Sequence, residues 1–240
     1  MSLYREHAVV LRTHKLGEAD RIVVLLTESR GKVRAVAKGV RKTKSRFGAR
    51  LEPLSHVSLL MYEGRGELDI VNQAESVDIF AAIRSDLDRI TRALTLVEAV
   101  DQITPEREPN PRRYQSLLGA LRTLEARDAP ALVPAFFLKL LDGEGLRPEF
   151  DRCIVCGAES GLVAFDLDGG GTVCRNDRVG VVTALSSETL DLMRQVLGGA
   201  LNAALNQPAS AATHQAEVLA TRLLEHHLER RLRSASALGH

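Results

Sequence analysis

The chain has 240 residues, of which 45% are hydrophobic and 26% are charged, and this composition is that of a folded globular protein rather than a disordered one. Residues 1–80 carry 14 Lys and Arg against 10 Asp and Glu, whereas the remainder carries 18 against 21. This asymmetry predicts one module that binds polyanions and a second module with another task. No run approaches 18 apolar residues and the N-terminus lacks a signal pattern, so we expect a cytoplasmic protein without a membrane segment.

The first 75 residues predict a small barrel of short strands. Runs rich in β-branched residues alternate with turn sequences such as LGEAD and SRG, as in an antiparallel all-β unit. Strands are expected at residues 7–15, 21–28, 32–40, 54–63 and 67–75. Five short strands with one basic loop fit the OB-fold, so we expect an OB-fold barrel over residues 1–77.

Helical periodicity begins after Ser76. Apolar residues recur at helical spacing through residues 77–103, which predicts one long helix ahead of the proline-rich segment PEREPNP. Further helices are expected near residues 114–126, 130–143, 186–198 and 208–233, with Ser187 as the N-cap of the third. The predicted fold class is therefore α+β, with a helical domain at 78–148 and 183–240 and a cysteine-bearing insertion at 149–182.

Residues 30–50 form a basic run that contains nine Lys and Arg and no Asp or Glu. Such a run repels itself unless an anion faces it, and counterion release favours phosphate as that anion; the alternative is a solvated surface loop. Lys32, Arg34 and Lys38 alternate with small apolar residues, which predicts that they share the strand face opposite the core. Phe47 is the sole aromatic residue in the run, and with Tyr62 it offers at most two stacking platforms, so we expect little sequence preference. The candidate nucleic-acid contacts are Arg34, Lys38, Arg41, Lys42, Lys44, Arg46, Phe47 and Arg50.

Three cysteines and one aspartate have the spacing of a zinc ribbon. Cys153 and Cys156 form one CxxC pair, and Cys174 is followed three residues later by Asp177 where a second pair would end with cysteine. Carboxylate oxygen is an accepted zinc ligand, so the four residues predict a structural Zn²⁺ site. Two alternatives remain open, namely a ribbon that has lost its metal and a site completed by a distant histidine.

Catalytic motifs are absent from the sequence. There is no Walker A motif, no HExxH and no GxSxG, and Glu18 and Asp20 lie in a turn without evident partners. His226 and His227 are adjacent on the last predicted helix and are interpreted as part of a solvated face. The basic end of that helix either makes a second polyanion contact or complements the helix C-terminus. Its cations are Arg222, Arg230, Arg231 and Arg233.

The segment GEADRIVVLLTESRGKVRAVAKGVRKTKSRFGARLEPL (residues 17–54) resembles the N-terminal region of the RecO family of recombination mediators. The shared features are a Glu-x-Asp-Arg turn, a Thr-x-x-x-Gly-Lys hairpin, and a Lys-Gly-x-Arg-Lys basic segment. The GRGEL hairpin, the long helix, the CxxC insertion and the C-terminal helix follow in the order of that family. Asp177 departs from the pattern, because many ribbon-bearing members have cysteine there.

The resemblance implies a non-catalytic, nucleoid-associated protein of bacterial recombinational repair. It implies binding of single- and double-stranded DNA through Lys38, Arg41, Lys42, Lys44 and Arg46, and annealing of complementary strands, including strands coated by single-strand-binding protein. It also implies RecR as a partner in loading the RecA recombinase. An RNA- or ribosome-associated OB-fold protein with a zinc ribbon is the alternative, because a basic barrel binds RNA equally well. A metal-dependent enzyme is disfavoured, since no candidate general base accompanies the cysteines.

Overall fold

The structure is a computed structural model that describes residues 2–235. The chain divides into two compact units, of which the first ends at Ala126 and the second begins at Arg127. The first unit holds a barrel and three helices, and the second holds four helices and a small sheet. The expected α+β fold class is therefore confirmed, whereas the compact units do not divide at residue 77.

The first unit is built on a closed five-stranded barrel with the strand order β1-β2-β3-β5-β4. Neighbouring strands are antiparallel except β3 and β5, which are parallel, so the arrangement is OB-fold-like. The strands are β1 (Leu3–Leu16), β2 (Asp20–Thr27), β3 (Gly31–Ala37), β4 (His56–Tyr62) and β5 (Leu68–Asp78). All five predicted strands are present.

Three helices follow the barrel and belong to the same unit. They are α1 (Ala81–Ser85), α2 (Leu87–Ile103) and α3 (Pro111–Ala126). The predicted single helix over 77–103 is wrong in its first half, because Asp86 interrupts it and caps α2 by accepting a hydrogen bond from the Arg89 backbone N–H. Phe80 precedes α1 with a φ of 51°, which lets its ring turn inward and become 3% exposed.

Residues 104–110 run along β3 and are called the strap. The Arg107 backbone N–H donates to the Lys32 carbonyl at 2.9 Å, and the Arg107 guanidinium donates to the buried Asp69 carboxylate at 3.1 Å. The Tyr4 hydroxyl donates to the other oxygen of Asp69 at 2.5 Å. A Cβ atom on Gly31 would lie 2.0 Å from the Glu108 carbonyl oxygen, so the close approach of the strap requires glycine at this position.

The second unit contains α4 (Leu132–Gly143), α5 (Ser187–Leu197), α6 (Leu201–Leu205) and α7 (Ala211–Leu228). Its three-stranded sheet has the order β7-β6-β8 and is formed by β6 (Leu162–Asp166), β7 (Gly171–Cys174) and β8 (Thr183–Ala184). The N-cap of α5 is Ser186, whose hydroxyl accepts from the Thr189 N–H at 3.2 Å, so the prediction of Ser187 is wrong by one residue. Among residues 2–235, no helix is long and apolar enough to cross a bilayer.

Candidate nucleic-acid interface and metal site

The basic loop, defined as residues 38–50, joins β3 to the segment before β4 and is held at its start by the turn between β1 and β2. The Gly39 N–H donates to the Asp20 carboxylate at 2.7 Å, and the Arg41 N–H donates to the Ala19 carbonyl at 2.9 Å. The Arg41 guanidinium also donates to the Glu18 carbonyl at 2.9 Å. The sequence interpretation that left Asp20 without a partner is therefore wrong, because this carboxylate fixes the entry to the loop.

The far end of the basic loop is anchored in the barrel. Phe47 and Leu51 are each 1% exposed and belong to the barrel core. The Arg46 guanidinium lies over the Phe47 ring, 4.8 Å from its centroid. These contacts correct the expectation for Phe47, whose ring is covered on all sides and is not available to stack on a base.

The side chains between these anchors form an exposed cationic surface without acids. All six loop cations face solvent, and the nearest acid along the chain, Glu52, is engaged by Arg21 at 2.6 Å. Lys38, Lys42 and Lys44 have no ion-pair partner within residues 2–235. The six residues are Lys38, Arg41, Lys42, Lys44, Arg46 and Arg50.

The two basic residues of β3 do not extend this surface. Lys32 is 9% exposed, and its ammonium donates to the Asp101 carbonyl at 2.6 Å. Arg34 lies 3.6 Å from a Glu67 carboxylate oxygen and 3.8 Å from one of Glu106. Both residues lie on the strand face opposite the core, as the alternation predicts, but helix α2 and the strap cover part of that face, so Arg34 remains a predicted DNA contact apart from the exposed loop surface.

The second unit brings the four candidate metal ligands together. The ligand atoms of Cys153, Cys156, Cys174 and Asp177 all lie within 4.8 Å of one another. The Asp177 Oδ2 atom is 3.3 Å from the Cys153 sulfur and 3.2 Å from the Cys174 sulfur, and the Cys156 and Cys174 sulfurs are 3.8 Å apart.

The donor set fits a tetrahedral zinc ion. With Zn–S distances of about 2.3 Å and a Zn–O distance of about 2.0 Å, a tetrahedron has S–S edges of about 3.8 Å and S–O edges of about 3.5 Å. The three separations given above are close to these values. The Cys174 N–H points at the Cys153 sulfur at 3.4 Å, which is the kind of backbone contact that stabilises a thiolate ligand. The hydrogen bond to Asp177 raises the pKa of Cys156 to about 12, so this thiol needs a cation to ionise at neutral pH.

The barrel and the basic loop define an OB-fold-like protein with an exposed cationic surface, and its second unit holds a cluster suited to a metal. The chain matches the family described as "Recombination protein O N terminal" over residues 1–80 and the one described as "Recombination protein O C terminal" over residues 84–236. It is 44% identical over 240 residues to the DNA repair protein RecO of Nocardioides sp. (strain ATCC BAA-499 / JS614), and the alignment covers 97% of each chain. The chain therefore belongs to the RecO family of recombination proteins.

Family membership favours a role in recombinational DNA repair over the ribosome-associated alternative. The names of the matched proteins describe recombination and repair, and none of them names a catalysed reaction. The tethering residues Asp20, Arg21 and Glu52 were missed by the sequence interpretation. Only Glu52 had a signal in the sequence, because it lies just outside the basic run, whereas Asp20 and Arg21 lie at the start of β2 and reach the loop through the fold.

Proposed function

We propose that this protein binds DNA through the sugar–phosphate backbone and anneals complementary single strands during recombinational repair. The observation that carries the proposal is the basic loop, in which six exposed cations face solvent with no acid among them. Clustered Lys and Arg release counterions from DNA on binding, and this effect drives association without reading sequence.

The burial of Phe47 supports annealing rather than base-specific binding. Proteins that hold single strands by their bases stack them on aromatic side chains, and stacked bases are withheld from pairing. The loop offers charge but no exposed aromatic ring, since its one aromatic side chain is 1% exposed. A surface of this kind neutralises the repulsion between two backbones and leaves most base edges free to pair.

The partners follow from the family rather than from a surface of this chain. As a RecO-family member, the protein would act with RecR on strands coated by single-strand-binding protein and would help to load the RecA recombinase. Its contribution would be non-catalytic, because binding and alignment of strands need no covalent step. It would bind double-stranded as well as single-stranded DNA, since both present phosphates.

The metal proposed for the second unit is Zn²⁺ in a structural role. Three thiolates and one carboxylate suit zinc, and Cys153 and Cys174 belong to the small apolar cluster at the base of the sheet. The ion would fix the two turns that carry the ligands, and the four protein ligands would leave it no open position for chemistry.

The salt dependence of oligonucleotide binding tests the proposed backbone contact. Each phosphate contacted by the wild-type protein should add about −0.7 to the log–log slope of affinity against salt for single-stranded DNA. Reversal of three charges in R41E/K42E/K44E should bring the slope about two units closer to zero. Arg112 is an exposed arginine on α3, so R112E serves as the control and should keep the wild-type slope.

Two outcomes would contradict the proposal. One is a wild-type slope near zero, and the other is an unchanged slope in the triple variant. Matched RNA and DNA oligonucleotides belong in the same titration, because a strong preference for RNA would support the ribosome-associated alternative instead.

A further inference from the structure

A cleft of about 380 Å³ lies at the base of the basic loop, on the side where the chain returns to β4. Its walls come from the end of the loop, the segment before β4, and the segment that joins β5 to α1. The lining residues that matter here are Gly48, Ala49, Arg50, Ser55, Ile79 and Arg84. All of them belong to the first unit, and three of them, Gly48, Ala49 and Arg50, belong to the basic loop.

The wall of the cleft that faces the loop is apolar because of the backbone at Phe80. The φ of 51° at Phe80 turns its ring into the core and leaves the preceding side chain, Ile79, on the surface with 66% of it exposed. A non-glycine residue in this conformation costs about 1–3 kcal/mol and persists where the surroundings enforce it. The backbone conformation at Phe80 therefore fixes the exposed Ile79 side chain in the wall of the cleft.

The polar groups around the cleft already have partners. The Arg84 guanidinium donates to the Ile79 and Pro53 carbonyls at 3.0 Å, and to the Ser55 hydroxyl at 3.1 Å. The Asp78 carboxylate accepts from His56 at 2.7 Å and from an arginine of α3 at 2.8 Å. Arg50 donates to two carbonyls of its own loop. The cleft therefore offers apolar surface between the Arg50 and Arg84 guanidiniums, and its lining carboxylate, Asp78, is already paired with an arginine of α3, so an apolar group attached to an anion suits it.

We propose that this cleft takes one unpaired nucleobase of a DNA strand whose phosphates lie on the basic loop. The proposal rests on the proposed function and adds a subsite to it. A single strand is a polyanion that carries a flat, largely apolar group at every phosphate. Since Arg50 belongs to both the loop and the cleft, a strand that follows the loop passes over the opening.

The cleft would distinguish single strands from duplexes. In a duplex the base is stacked and paired, so its entry into the cleft carries an unpairing cost. One cleft holds one base, and the neighbouring bases of the strand remain free to pair. The subsite therefore agrees with annealing, because it fixes the register of a strand without covering a long run of bases.

The test compares two probes that carry the same phosphates. Wild-type protein should bind a thymidine dodecamer about fivefold or more tightly than a dodecamer of abasic sites, because a base in the cleft removes apolar surface from water. Removal of the apolar wall in I79S, or obstruction of the cleft by a longer side chain without a ring in A49Q, should abolish this difference and leave the salt slope of the abasic probe unchanged. The controls are L87S, which changes a leucine that is 79% exposed outside the cleft, and T43Q, which adds the same side chain to an exposed loop position.

Equal affinity of the wild type for the two probes, or a difference that survives in I79S and A49Q, would overturn the proposal. A peptide of alternating glutamate and leucine tests the other occupant with the same chemistry. Peptide binding that is lost in I79S, with equal affinity for both oligonucleotides, would assign the cleft to a protein segment. Failure of the proposed function itself would appear separately, as loss of salt dependence with the abasic probe.

Discussion

His56 links the barrel to α3, and this residue is 3% exposed. One ring nitrogen lies 2.7 Å from the Asp78 carboxylate and the other lies 2.8 Å from the Tyr114 hydroxyl. Burial lowers the pKa of His56, and this effect outweighs the opposing attraction of Asp78. The folded protein therefore holds the neutral imidazole more firmly than the unfolded chain does.

The lowered pKa of His56 predicts a loss of stability in mild acid. As the pH falls below the ordinary histidine pKa of about 6.5, the unfolded chain takes up a proton before the folded chain does, so the free energy of unfolding decreases. The contribution of neutral His56 to the free energy of unfolding is fully present above the unfolded-state pKa, and it is lost as the pH falls toward the lower pKa of the folded state. Asp78 also has a lowered pKa, and its contribution is lost in a separate window, below about pH 4.

Urea unfolding between pH 5 and pH 8 measures this effect. All three tyrosines (Tyr4, Tyr62 and Tyr114) lie in the first unit and the chain has no tryptophan, so tyrosine fluorescence reports on that unit alone. H56Q should flatten the dependence between pH 5 and pH 7, whereas H14Q, which alters an exposed histidine of β1, should keep the wild-type curve. A wild-type curve without a decline in this range would refute the argument.

The contacts of Phe47 and Lys32 could not be predicted from the sequence, because their partners lie far away along the chain. Phe47 has the sequence surroundings of an exposed loop residue, yet it belongs to a barrel core that includes Tyr4, 43 positions earlier in the chain. Lys32 lies on the strand face opposite the core, as its alternation predicts, yet α2 covers that face and brings the Asp101 carbonyl against its ammonium group. Local periodicity describes one strand at a time and contains no information about what later packs on its outer face.

The strap along β3 depends on a single glycine at the start of that strand. Alanine at position 31 would need a left-handed backbone, with a φ near 70°, and its Cβ would collide with the Glu108 carbonyl. The left-handed conformation alone costs alanine about 1–2 kcal/mol, and displacement of the strap adds to that cost. We therefore expect G31A to lower the free energy of unfolding of the first unit by about 2 kcal/mol or more.

Tyrosine-detected urea unfolding of G31A and G66A provides the comparison. Gly66 has open space around its Cβ position and lies in the turn between β4 and β5, so G66A should differ little from the wild type. Equal stability of the two variants would show that the strap does not hold β3 as described.

The turn that ends at Asp177 supplies the fourth ligand, and its replacement tests the zinc proposal. Protein purified without chelator should contain about one zinc per chain, as expected for one tetrahedral site. D177A should lower the zinc affinity by at least about tenfold, because it removes a ligand and opens the site to water. D177C should retain the metal, since it restores the four-cysteine set.

Metal analysis and competition with a chromogenic chelator measure this prediction. The matched control is D168A, which removes an exposed carboxylate from the same small sheet without touching the cluster. Absence of zinc from both the wild type and D177C would indicate a ribbon held by packing alone.

The elements themselves were largely predictable, with one instructive exception. The five strands follow from β-branched runs and turn residues, and the ligand cluster follows from its spacing. The periodicity of residues 77–103 continues across Asp86, but the chain stops and restarts the helix there, because the left-handed turn at Phe80 and the cap at Asp86 redirect it. The cleft beside Ile79 is a product of that redirection and had no signature in the sequence.

At the scale of the whole molecule, the exposed charge of the first unit is the feature that would hold DNA strands. The first unit carries the basic loop, which contains no acid. The second unit carries the four candidate metal ligands, and it has further exposed arginines on and beyond α7 (Arg222, Arg230, Arg231). If the basic loop is the main strand-holding surface, its charge should govern annealing as well as binding, and both should weaken together as salt rises.

The most direct test is the rate at which complementary oligonucleotides anneal in the presence of the protein, with and without a coat of single-strand-binding protein. We expect the wild type to accelerate annealing, the acceleration to fall steeply with salt, and R41E/K42E/K44E to lose most of it while R112E retains it. Acceleration that is independent of salt, or that survives the triple reversal, would contradict the central claim that the basic loop brings the two strands together.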